Sequence, residues 1–116
     1  MKLTLTALTV AATIFASSAS AFDPADLKNL LDTNECVRCD LQEAFLPNTN
    51  LRGADLIGAN LKGADLRGAD LFMANLTDAD LSGTNLRDAI LGYAIMNGAI
   101  LCNTTMPDGS VIYSGC

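Results

Sequence analysis

Four cysteines are the residues of this chain best suited to chemistry: Cys36 and Cys39 in a Cys-x-x-Cys pair, then Cys102 and Cys116. Such a pair can exchange electrons as a dithiol when it sits in an electropositive, partly exposed setting. It can also supply half of a four-cysteine zinc site or, when a histidine follows, attach a c-type haem. Here Asp40 follows the pair and the chain contains no histidine. That excludes haem attachment of this type and any nucleophile activated by histidine. Thirteen acidic residues, against seven basic ones, offer many carboxylates that could pair as acid and base, and they leave a net charge of −6. The acidic excess disfavours nonspecific binding to nucleic acid.

The start of the chain bears on the state of these thiols. Met1 and Lys2 form a short positive beginning, residues 3–16 are apolar with threonines, and Ala19-Ser20-Ala21 is a small-x-small cleavage signal. This reads as a secretory signal peptide over 1–21, too short and poorly flanked for a comfortable membrane span. Its removal leaves a chain from Phe22 with no membrane span and, without Lys2, a net charge of −7. An even number of cysteines in a small exported domain reads as disulfides, with three connectivities open.

What positions these groups is a period of five. Leucine or methionine stands at Leu41, Leu46, Leu51, Leu56, Leu61, Leu66, Leu71, Leu76, Leu81, Leu86, Leu91, Met96, Leu101 and Met106. On a helix each step of five advances about 140°, which winds the leucines round all sides. On a strand an odd step alternates faces. The chain must therefore turn once per repeat, which brings every leucine inward and makes this series the expected core. Two residues before each leucine stands a small residue, mostly alanine, which fits beside a large one in a narrow interior. Asp or Asn directly precedes the leucine in nine of the fourteen repeats, and glycine often follows two residues later. Both favour corners over helix. The aspartates thus read as turn-makers rather than catalytic pairs, and each glycine belongs to the five-residue cycle rather than to a phosphate loop.

Blocks such as Ala54-Asp55-Leu56-Ile57-Gly58 and Ala64-Asp65-Leu66-Arg67-Gly68 resemble the pentapeptide-repeat family over residues 39–108. The resemblance implies an all-β solenoid, a right-handed quadrilateral β-helix of about three and a half coils, roughly 17 Å tall at the spacing of stacked strands. A short N-terminal helical cap is expected over 22–38, with Asp23 as N-cap, Pro24 at the first helical position, and Leu27, Leu30 and Leu31 on one apolar face. Residues 109–116 are expected as a capping tail at the other end. If the chain follows the family's coil, Cys39 and Cys102 lie about 15 Å apart along the axis, beyond the reach of a disulfide. On that model Cys36 pairs with Cys39, Cys102 pairs with Cys116, and a shared metal site is not expected.

One departure from the repeat points to a surface. The Asp/Asn column switches to Ile90, Ile95 and Ile100 in the last coil, with Tyr93 and Phe72 nearby among the outward positions. A girdle of this kind exposes apolar area unless the tail or a partner covers it. The sequence therefore reads as a non-catalytic, secreted rod without cofactor, a protein-binding or scaffolding module for an unknown partner or for self-association through its C-terminal coil. The cap and the ending resemble exported cyanobacterial and plastid-lumen members of the family, which implies a periplasm or a thylakoid lumen. Two alternatives remain at this stage. One is a DNA mimic that interacts with a topoisomerase, suggested by another branch of the family and by the acidic balance. The other is a periplasmic redox protein using Cys36 and Cys39.

Overall fold

The computed structural model describes residues 21–116, so the expected leader, apart from Ala21, lies outside the described residues. Between Glu35 and Thr105 the backbone returns alongside itself every twenty residues. Eleven single-residue parallel bridges share that offset, from Glu35 with Asp55 to Asn85 with Thr105. Four repeats therefore make one coil, and residues twenty apart stack in columns. The first bridge begins at Glu35, four residues before the range 39–108 read from the sequence, because Cys36 takes the place of a leucine below Leu56.

Each repeat makes its corner in the same way. The Ala44 N–H donates to the Leu41 carbonyl at 3.1 Å, and the same bond across three residues recurs up the stack. The third residue of each such turn has positive φ, which defines a type II turn. Glycine fills that place six times, while Glu43, Asn48, Met73, Asp78, Asp88 and Tyr93 hold φ between 56 and 62°. In all nine repeats with Asp or Asn before the leucine, its Oδ1 accepts from the N–H two residues on, as Asp80 does from Ser82 at 2.9 Å. These bonds hold the bridge residue in place ahead of the turn. Regular strand is thus scarce: the repeats bridge one residue at a time, and among the described residues continuous strand occurs only near the C-terminus.

The interior is a stack of leucines and alanines. From Leu41 to Leu86 every fifth residue is 0–3% exposed, and the alanines beside them are equally enclosed. Each such leucine contributes about 2 kcal/mol through burial. Thr84 and Thr104 replace alanine in one column, and their buried hydroxyls donate to the Leu61 and Leu81 carbonyls at 2.7 Å. Leu91, Met96 and Leu101, expected in the core, pack against it but are only half-buried, because among the described residues no further coil lies over them.

The two ends are finished differently. Helix α1 (Pro24–Thr33) lies across the first coil, started by Asp23, whose carboxylate accepts from the Ala25 N–H, and ended by Asn34 at φ 65°. Leu30 is buried against the stack, whereas Leu31, expected on the same face, is 54% exposed. Backbone groups of the first coil are met as well: the Asp40 carbonyl accepts from the Asp23 N–H, and the Asp40 N–H donates to the Asp26 carboxylate at 2.8 Å. At the other end β1 (Leu101–Thr105) pairs antiparallel with β2 (Val111–Ser114), joined by a turn at Gly109 and interrupted by an irregularity at Asn103. Among the described residues no helix is long and apolar enough to cross a membrane.

Candidate functional site

The cysteines lie at opposite ends of the stack in two bonded pairs. Cys36 and Cys39 are joined, with Cα atoms 5.2 Å apart, and are 1% and 6% exposed. Cys102 and Cys116 are joined, with Cα atoms 4.9 Å apart, and Cys116 lies on the surface. No cysteine is free, and no group of three potential metal ligands occurs among the described residues. The carboxylates of the Asp column are occupied as acceptors for the turns. Asp65 is also held by Arg67, whose side chain donates to both of its oxygens; this bond lowers the Asp65 carboxyl below its ordinary value, with burial opposing.

The apolar departures gather at the end opposite α1. Ile90 and Ile95 are 49% and 45% exposed, and Tyr93 is 82% exposed. Ile100 is half-buried because the tail returns over it, with Gly115 against its backbone. Phe72 sits one coil lower and is partly covered. Its ring meets Tyr93 edge-on at 5.6 Å, and the Arg52 guanidinium lies 4.5 Å over it. Arg52 also pairs with Asp70 at 3.4 Å. Such contacts favour these ring orientations. Met73, beside Phe72, is 60% exposed and extends the patch.

Sequence reasoning assigned Leu91 and Met96 to the core and so missed their part in this surface. Half-exposed, they follow Ile90 and Ile95 at the open end. The backbone there is also unfinished. In the coils below, N–H groups at the leucine and at the third turn residue donate to the next coil, as Leu71 and Met73 do to the Ile90 and Gly92 carbonyls. Among the described residues, the N–H groups of Leu91, Tyr93, Met96 and Gly98 donate to no backbone carbonyl. Two sides of the last coil are thus bare, and β2 covers the third along β1. The signal available in the sequence was the end of the leucine series itself. Phe45, which breaks the Asp/Asn column near the other end and is 71% exposed, was also passed over.

The apolar side chains, the two rings and N–H groups that, among the described residues, meet no backbone carbonyl thus occur together at this end. A furrow of about 430 Å³ along the side of the stack is lined by Gln42, Glu43, Lys62 and Ser82 among others.

The family profile described as pentapeptide repeats matches in eight copies over residues 35–71 and 74–106. No curated protein matches the chain. Among solved structures, a pentapeptide repeat protein from Nostoc is 32% identical over 80% of this chain and 87% of its own, with a TM-score of 0.32. One from the Arabidopsis thaliana thylakoid lumen is 29% identical over 67% of this chain and 61% of its own, TM-score 0.40. HetL of Nostoc, a pentapeptide repeat protein involved in heterocyst differentiation regulation, is 27% identical over 67% of this chain and 51% of its own, TM-score 0.29. This chain therefore spans only about half to three-fifths of the length of the last two. At these TM-scores the likeness adds no structural argument, and the assignment rests on the matched repeats. With 70 of its 116 residues matched (37 in the first block and 33 in the second), the chain belongs to the pentapeptide-repeat family.

Proposed function

We propose that this chain is a non-catalytic, protein-binding rod, a right-handed quadrilateral β-helix capped by α1 and open at its C-terminal coil. The observation that carries this reading is the open end itself, where Ile90 and Ile95 precede half-exposed Leu91 and Met96 beside N–H groups that, among the described residues, meet no backbone carbonyl. The occupant we put forward is a second copy. Because α1 closes the opposite end, two copies can meet open end to open end but cannot stack into a filament. Burial of Cys36 and Cys39 speaks against redox work by that pair.

Export to a periplasm or thylakoid lumen belongs to the same proposal. Its support is the leader-like stretch 1–21, the paired cysteines and the lumenal origin of one similar protein. Sedimentation velocity over a concentration series tests the binding end. The wild-type chain should associate, and Ile95→Asp should shift it to monomer with its melting temperature nearly unchanged, since that side chain is half outside. A wild type that stays monomeric at every concentration refutes the second copy as occupant.

A further inference from the structure

We propose that the Cys102–Cys116 disulfide is a reducible latch: a dithiol reductant opens it ahead of Cys36–Cys39, releases β2, and widens the open end from two sides to three. The inference starts from access. A thiolate must reach a disulfide sulfur to attack it. Cys36 and Cys39 are enclosed, at 1% and 6% exposure, inside the end that α1 covers. Cys116, by contrast, is exposed at the end of the tail, and its partner Cys102 is only half-buried.

What the disulfide holds is weakly held otherwise. Val111 is 46% exposed and Tyr113 70%, so Ile112 is the one apolar side chain of β2 that the stack half covers. The β1–β2 ladder has four paired positions and an irregularity between Cys102 and Thr104. A short two-stranded ribbon of this kind is marginal without further support. β1 itself stays in place when β2 leaves, because the Ile100 and Cys102 carbonyls still accept from the Leu81 and Gly83 N–H groups below. Its outer edge then joins the edge already bare at Leu91, Tyr93, Met96 and Gly98.

The exchange balances simply. One thiolate of the reductant attacks Cys116 Sγ, and the Cys102 sulfur leaves as thiolate and takes a proton. The second thiol of the reductant then loses its proton and displaces Cys116, which is protonated in turn. The reductant ends as a disulfide, having given two electrons, and the protein ends with two thiols.

The latch stands apart from the docking proposal; only its effect on binding rests on that reading. In the test, oxidised protein is exposed to dithiothreitol for increasing times, quenched by alkylation and mapped by peptide mass spectrometry. Cys102 and Cys116 should be labelled at least about tenfold faster than Cys36 and Cys39. Hydrogen exchange of the half-reduced protein should quicken in 101–105 and 111–114 and stay slow across 41–86. Equal rates for the two pairs, prior labelling of Cys36 and Cys39, or unchanged protection of β1 and β2 would each overturn the latch. Cys116→Ser should reproduce the faster exchange without reductant. In sedimentation it should also strengthen association relative to wild type. If exchange quickens but association does not change, the latch stands and its docking consequence falls.

Discussion

The two ends of this stack are made from one repeat and finished in opposite ways. At the first coil, Leu30 of α1 fills the space below the leucines, and Asp23 and Asp26 bond to the backbone of Asp40. At the last coil, Leu91 and Met96 occupy the same kind of column, yet among the described residues no coil lies above them and their N–H groups meet no backbone carbonyl. An inward direction is therefore not the same as a buried state. The repeat sets the first, and a neighbouring coil or cap supplies the second.

The sharpest way to break this comparison is to place one charge in one column at two heights. Leu71→Asp buries an unpaired carboxylate where the native side chain is 0% exposed. It should cost more than about 4 kcal/mol and abolish cooperative unfolding. Leu91→Asp, one coil above, can reach water and should cost about 1 kcal/mol. Thermal melts of the pair decide it, and equal losses would mean that Leu91 is as enclosed as Leu71. Next in size is Leu30→Ala at the covered end, expected to cost about 3 kcal/mol in urea unfolding by leaving a cavity under α1. A loss within a few tenths would show that the helix does not seal the first coil.

The smallest effect belongs to neither end. The Arg67 side chain's hydrogen bond holds the Asp65 carboxyl below the ordinary aspartate value in the middle of the stack. A carboxyl depressed in the fold adds stability above its unfolded value and loses it as pH falls through the folded one. Solvent screens the pair, so Arg67→Ala should lower the melting temperature only slightly at neutral pH. The difference from wild type should vanish in acid, below the folded value. A gap that widens toward acid would contradict the assignment.

Much of the architecture is legible in the residues, and the reason is local. A step of five with Asp or Asn before leucine and glycine after it leaves the chain few ways to turn, and the nine side-chain bonds to the turn N–H groups follow from that chemistry. The start of α1 was equally readable, from Asp23 and Pro24. The exposure of Leu31 was not, because the tilt of a helix on a stack depends on the surface beneath it. Nor was the state of Leu91, Met96 and Leu101, since their letters match those of enclosed leucines and only their height differs. Ile90, Ile95 and Tyr93 could be picked out as departures from the pattern. That they meet Leu91 and Met96 at a bare backbone edge required coordinates.

The twenty-residue closure also separates reach from aim. Because Glu35 returns to Asp55 and each later residue to one twenty further on, adding twenty residues would lift the apolar end by one coil, about 4.8 Å, and leave it facing the same way relative to α1. Adding five would instead move the hairpin and its latch one side round the rod. A lineage that gains or loses single repeats would thus swing its binding end like a compass needle, whereas one that changes by fours would only alter how far that end stands from its cap.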